Sequence, residues 1–293
     1  MKKKIILIIV SAVVMTAVWW HFYRSGTGFP GKGPAEAPVG TKDKAALEQK
    51  ILAFSIDGRS PKGAKQWHLD GDSAEIVGED IHLNDLTAVV YGENVVINLT
   101  SDKGIYRRDK GEVELIGNVH VVSDDGFTLD TDKARWLQAT KEIDTDSLVH
   151  IRKEGMSAVG QGGMANSDER RAVLNKNVNV TIEPDTKVDC DGSLEVDYNH
   201  NLAVFRDNVR VEDKDGKMFA DKLTVEFNPE TQKLFQVTAE GNVKIKKGKS
   251  YTISEKAIYR DSTKSAQLLG NPRVLIDPDE LSDLEGLGEK SAP

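Results

Sequence analysis

Cys190 is the single cysteine of this chain, so no disulfide can close within it, and cysteine usage says nothing about the compartment. Positive charge is in deficit as well. At a net charge of -8, and without a basic stripe interleaved with aromatics, the chain lacks the electrostatic footprint of a nucleic-acid partner. His21, His68, His82, His120, His150 and His200 stand apart from one another, and none falls in an H-E-x-x-H pattern. His120 and His150 hold equivalent positions in adjacent repeats, where exposure on outer strand faces accounts for them better than a shared metal. Asp70-Gly71-Asp72, Asp189-Cys190-Asp191-Gly192 and Asp213-Lys214-Asp215-Gly216 lack the full ligand series of a calcium loop and read first as turns. Gly160-Gln161-Gly162-Gly163-Met164-Ala165 matches G-x-G-x-x-A, but no helical pattern follows it, so it reads as a loose bend. Cys190 has no histidine near it in sequence to activate it as a nucleophile. Alternating strands put most acidic residues at turns and outer faces, which leaves no paired carboxylates for glycan hydrolysis. No enzyme, cofactor or metal site is expected; a binding surface is.

What the sequence does contain is a repeat. In Val113-Glu114-Leu115-Ile116-Gly117-Asn118-Val119-His120-Val121 the odd positions around Gly117 are apolar and the even ones mostly polar, the period of a half-buried strand. The pattern returns at intervals of about thirty residues. Its copies run through Ile143 to Ile151, Ala172 to Val180, Ala203 to Val211, Val237 to Ile245 and Ala266 to Ile276, with Glu93 to Ile97 as an earlier one. Gly241-Asn242 and Gly270-Asn271 restore the central Gly-Asn pair, whereas Lys176 and Asp207 stand where glycine is expected. A second element precedes several copies: Asp102-Lys103-Gly104-Ile105-Tyr106, Asp132-Lys133-Ala134-Arg135-Trp136, Asp221-Lys222-Leu223-Thr224-Val225 and Glu255-Lys256-Ala257-Ile258-Tyr259. Turn chemistry such as Asp125-Gly126, Glu154-Gly155 and Pro229-Glu230-Thr231 falls between the elements. Each unit is thus a hairpin, and a hairpin buries its apolar face only by stacking on its neighbours.

The ends differ in composition. Lys2, Lys3 and Lys4 precede an apolar run, and Trp19, Trp20, Phe22 and Tyr23 crowd its far end as rings do at a membrane interface. Ile5 to Tyr23 would span roughly 28 Å as a helix, close to the hydrocarbon thickness of a bilayer. A cleaved signal peptide competes with this reading, but Ala35-Glu36-Ala37 lies too far downstream to be its cleavage site. The expectation is a single-pass inner-membrane anchor, N-terminus cytoplasmic and the bulk of the chain periplasmic. Glycines and prolines from Ser25 to Thr41 read as a tether, Thr41 to Leu52 as a short helical turn, and the acidic stretch after Asp277 as a solvated tail or a short frayed helix.

Trp67-His68-Leu69-Asp70-Gly71-Asp72-Ser73-Ala74, Ile81-His82-Leu83-Asn84-Asp85, Ser101-Asp102-Lys103-Gly104-Ile105-Tyr106 and Gly117-Asn118-Val119 through Asp132-Lys133-Ala134 resemble the lipopolysaccharide export family LptC. Phe219-Ala220-Asp221-Lys222-Leu223, Ala239-Glu240-Gly241-Asn242-Val243-Lys244-Ile245, Ala257-Ile258-Tyr259 and Leu269-Gly270-Asn271-Pro272 look like the LptA and OstA-type domain. The resemblance implies an all-β fold, an open V-shaped β-jellyroll of two antiparallel sheets holding acyl chains in its groove. It also implies partners: lipopolysaccharide or a related glycolipid, an inner-membrane ABC exporter of the LptBFG type, and an LptA-like protein joined by edge-strand pairing.

The expected organisation is residues 1–24 as stub and anchor, 25–43 as linker, 44–180 as an LptC-like jellyroll, 181–277 as an LptA/OstA-like extension and 278–293 as tail. Alternation nominates Val119, Val121, Val149, Ile151, Val178, Val180, Val209, Val211, Val243 and Ile245 for the groove wall, with Phe127, Phe205, Phe219 and Phe227 near its opening. The function expected is glycolipid transport across the periplasm from the exporter toward the outer membrane. The alternative is an anchored, non-catalytic β-solenoid scaffold of the envelope with a sealed interior.

Overall fold

The computed structural model describes residues 49–59, 65–91, 96–166 and 168–277. The expected anchor, tether and acidic tail lie outside them. The described residues contain strands and turns and no helix. They fall into two compact units, the first ending at Asn175 and the second starting at Lys176.

In the first unit, β1 (Gln49–Arg59), β2 (Lys65–Val77), β3 (Asp80–Tyr91), β4 (Val96–Arg107), β5 (Glu112–Ser123), β6 (Thr128–Leu137), β7 (Glu142–Lys153) and β8 (Met156–Asn166) form an antiparallel meander. The boundary between the units falls inside β9 (Arg171–Ile182). The second unit continues with β10 (Thr186–Cys190), β11 (Leu194–Asp197), β12 (Leu202–Asp213), β13 (Gly216–Phe227), β14 (Leu234–Lys247), β15 (Ser250–Arg260), β16 (Ser265–Leu269) and β17 (Arg273–Leu275). It too is antiparallel throughout. The short helix expected over Thr41 to Leu52 is corrected in its described part. Gln49 to Leu52 belong to β1, paired with Ser73 to Ile76, where the ladder satisfies backbone groups that an isolated turn would leave to solvent.

Most of these strands are too long to stay straight. Register shifts fall at Thr100/Lys103, Ile116/Val119, Thr131/Arg135 and Thr145/Leu148 in the first unit. In the second they fall at Arg206/Val209, Phe219/Lys222 and Glu240/Val243. Lined up strand by strand, these bulges draw a crease across each sheet, since a bulged strand bends where its extra residues sit.

The repeat is the chemistry of this crease. Gly117 and Asn118 both have positive φ (81° and 46°), as do Gly241 and Asn242 (75° and 47°) and Gly270 and Asn271 (76° and 49°); glycine and asparagine tolerate that region best. The aspartate of the neighbouring strand covers the pair. A Cβ on Gly117 would come within 2.4 Å of Asp102 Oδ2, and one on Gly241 within 2.3 Å of Asp221 Oδ2. The same carboxylates accept hydrogen bonds from Asn118 Nδ2 (2.9 Å) and Asn242 Nδ2 (2.8 Å). Behind Asp102, Asp132 and Glu255 a buried hydroxyl donates to the carbonyl two residues on: Ser101 to Lys103, Thr131 to Lys133, Ser254 to Lys256. Cys190 occupies this same place, its thiol 3.6 Å from the carbonyl oxygens of Gly192 and Ser193. Burial pushes that thiol up to about 11, and its pairing with Val178 makes the lone cysteine a crease residue.

The irregular copies obey the same geometry with the parts exchanged. Asp207 adopts φ 66° in the glycine's place and Asn208 φ 50°. Its carboxylate packs over Gly192, where a Cβ would lie 2.2 Å from Asp207 Oδ2, while Asp191 takes the hydrogen bond from Asn208 Nδ2 (2.9 Å). Glycine and aspartate have changed strands. At the other irregular copy Lys176 is exposed and Asn177 alone is left-handed (φ 53°). Within β8 the left-handed residue is Gly162 (φ 73°), so Gly160 to Ala165 is not a loose bend but a creased strand. The earliest copy is also corrected: Asp85 (φ 49°) and buried Leu86 hold the crease position in β3, whereas Val96 and Ile97 open β4.

Substituting Gly241→Ala adds left-handed strain and a clash with Asp221, and is expected to cost roughly 1–3 kcal/mol. The urea midpoint of the variant reads this, and the additional change Asp221→Ala should restore part of the loss. A midpoint equal to wild type would refute this account of the crease.

Candidate functional site

Residues opposite one another on paired strands share a face, as do residues two apart along a strand, so register assigns each apolar side chain to a side. In the first unit, Leu83, Gly104, Leu115 and Ala134 form one row on one flank of the crease. Ile81, Tyr106, Val113, Trp136, Ile143 and Ala165 form the next row out. On the other flank Leu69, Ala88, Leu99, Val121, Leu129, Ile151 and Ala158 are in register. Val119, Thr131, Val149 and Gly160 lie along the crease itself, large and small residues alternating.

The second unit repeats the plan. Leu194, Phe205, Leu223, Ala239, Ala257 and Leu268 form the row beside the crease, and Ala203, Val225, Val237 and Tyr259 the next. On the other flank Val180, Val188, Val211, Met218, Ile245 and Thr252 align. The crease pairs Val178 with Cys190, Val209 with Ala220 and Val243 with Ser254.

Of the residues nominated from alternation, Val119, Phe127, Val149, Ile151, Val178, Val180, Phe205, Val209, Phe227 and Val243 are buried, and Val121, Val211 and Ile245 are half-buried. Phe219 falls elsewhere. It stands opposite Arg210 and Lys244, on the face away from Val211 and Ile245, because the bulge after it resets the alternation that runs on from Ala220. Apart from Phe205 and Phe227, sequence reasoning passed over the flank before the crease, although its signal was present. Gly104 and Tyr106, Ala134 and Trp136, Leu223 and Val225, Ala257 and Tyr259 lie two and four positions after the crease residues Asp102, Asp132, Asp221 and Glu255.

Accessibility separates the units. Ala203, Leu223, Val225, Val188 and Val243 of the second unit are 0% exposed. Leu83, Leu99, Tyr106, Val113, Leu115 and Trp136 of the first unit are half-exposed on the same kind of face.

The opposite faces carry charge in matched rows. Glu114, although 8% exposed, receives Arg107 (2.6 Å) and Lys133 (2.5 Å), and Arg135 binds Asp144 through two nitrogens. Glu240 is held between Lys222 (3.2 Å) and Lys256 (2.8 Å). His120 and His150 flank Asp130 on neighbouring strands, and Asp130 bonds His120 and Arg152. Among the described residues no cluster of His, Cys, Asp or Glu is arranged to hold a metal ion. Asp213 accepts the amides of Asp215 (2.8 Å) and Gly216 (2.9 Å), the geometry of a turn.

Three strands keep one edge without a strand partner among the described residues. β1 pairs with β2 alone and exposes Ile51, Leu52 and Ile56. β16 and β17 pair with β15 alone and expose Leu269, Val274 and Leu275.

Residues 6–183 match the family described as lipopolysaccharide-assembly, LptC-related. The chain belongs to that family. Residues 187–283 of this LptC-related chain match a second description, LptA/(LptD N-terminal domain) LPS transport protein, so an LptA-type domain follows the LptC-type one. The crystal structure of LptH, the LptA homologous periplasmic component of the conserved lipopolysaccharide transport device from Pseudomonas aeruginosa, is similar at 14% identity and a TM-score of 0.36. That likeness covers 43% of this chain and 98% of LptH. No curated protein matches.

Lys133 and Arg107 hold the Glu114 carboxyl below the usual glutamate range, against the opposing effect of burial. The stability contributed by a lowered carboxylate is fully present above its unfolded pKa of about 4.3 and is lost as pH falls through the folded value. Glu114→Gln should therefore be less stable than wild type at neutral pH, by an amount that stays constant down to about pH 5 and shrinks below about pH 4. Urea midpoints measured against pH check this. A gap independent of pH would mean that the ion triad contributes nothing.

Proposed function

We propose that this chain is a non-catalytic carrier of lipopolysaccharide or a related glycolipid, anchored in the inner membrane by the helix expected over Ile5 to Tyr23. Acyl chains lie against the apolar rows on the two flanks of each crease, in an open V-shaped β-jellyroll, and pass from an ABC exporter of the LptBFG type toward the outer membrane. The LptC-type module takes the lipid first and the LptA-type module extends the path. The observation that carries the reading is the set of apolar rows in register on both flanks of the crease within each unit, in a chain of the LptC-related family. Burial there removes about 0.8 kcal/mol of hydration cost per CH₂, enough over several chains to hold a lipid out of water.

The edges of β1 and of β16–β17 that have no strand partner among the described residues suit the partners. An unblocked edge offers a row of backbone donors and acceptors to another sheet, and exposed Leu52 and Val274 supply apolar contact beside it. The exporter on one edge and an LptA-like protein on the other are the partners of this reading. The near-zero exposure of Leu223 and Val225 favours the second reading for that unit, a sealed scaffold whose interior never meets lipid.

Photo-crosslinking residues at Val121 and Ile245, each compared with its outward neighbour His120 or Lys244, in cells making labelled lipopolysaccharide, decide between them. Lipid adducts are expected at Val121 and Ile245 and not at His120 or Lys244. Adducts at Val121 alone would make the second unit a scaffold, and silence at both inward sites would overturn the carrier reading.

A further inference from the structure

Tyr198 ends β11. Leu194, Val196 and Tyr198 alternate onto the apolar face of the second unit, and Asp197 pairs with Leu202. The Phe227 amide donates to the Asn201 carbonyl, and Phe227 pairs with Leu234, so the outermost row of this flank holds Tyr198, Asn201, Phe227 and Leu234. Tyr198, Phe227 and Leu234 are all buried. The phenolic oxygen of Tyr198 is buried with them and meets no hydrogen-bond partner among the described residues.

The buried hydroxyls of the crease, and that of Tyr259 beside them, are spoken for. Ser101, Thr131 and Ser254 bond the backbone at the crease, and Tyr259 bonds Asp261. Thr128, also without a partner, lies on the outer face opposite Val122 and Arg152. An unpaired hydroxyl in an apolar interior is destabilising, and phenylalanine would fill the same space without it.

We propose that Tyr198 is a polar anchor for bound lipid, donating its O–H to an oxygen carried on an acyl chain: an ester or amide carbonyl, or a chain hydroxyl. The inference rests on the carrier reading and deepens it, because it gives the second unit a preference for oxygen-bearing acyl chains over plain hydrocarbon. Phosphate or sugar is not the acceptor. Seating either beside Phe227 and Leu234 would strip a charged or many-hydroxyl group of water without replacing its hydrogen bonds.

The test uses the full chain in nanodiscs, wild type and Tyr198→Phe, with two probes: lipid A bearing 3-hydroxyacyl chains, and an ether-linked dialkyl glycolipid of equal chain length without carbonyls. Tyr198→Phe is expected to bind lipid A about fivefold more weakly, the factor of one uncharged hydrogen bond. Its affinity for the ether probe should be unchanged, and its ligand-free thermal midpoint should rise. Undiminished lipid A affinity, an equal loss for both probes, or a lowered ligand-free midpoint would each overturn the anchor. If neither protein binds either probe, the carrier reading itself fails and the anchor falls with it.

Discussion

The structure depends on one local constraint: two consecutive residues held near left-handed φ in the middle of a strand, beneath an acidic side chain of the strand beside it. The pair bends its strand, and the aspartate ties the bend to its neighbour through the Asn118–Asp102 type of hydrogen bond. A bend repeated in register becomes a crease, and a crease gives one sheet two flanks that share an apolar face. Without it, strands of 12 residues such as β5, β12 and β13 would run as a flat two-sided sheet with its apolar face open to water.

Packing along the crease follows from the same constraint. After three of the left-handed pairs the next residue points inward with almost no exposure: Val119, Val209 and Val243 at 2%, 1% and 0%. Opposite these stand small residues, Thr131, Ala220 and Ser254. Large against small fills the narrow side of a bend without strain. On the outer face, carboxylates sit between two cations, so that even buried Glu114 has both oxygens satisfied.

Much of this was legible in the residues. The period-2 alternation set the strands, the Asp-Gly and Pro-containing segments set the turns, and the recurrence of Gly-Asn after Asp-Lys marked a unit. Phe219 was misplaced because alternation counts straight through a bulge, whereas the register does not. Asp207 looked like a defect because a single position was compared with glycine. Its compensation, Gly192, lies on another strand, and only pairing brings the two together.

The amino-acid sequence by itself determined an all-β repeat with an apolar and a charged face, because side-chain period and turn chemistry are local properties of the chain. The tertiary structure decided which residues face each other across the crease, because bulges change register by amounts that periodicity does not record. It decided too that Cys190 is a crease residue and that the hydroxyl of Tyr198 meets no partner among the described residues. Burial and pairing are properties of neighbours, and neighbours on adjacent strands are set by the fold.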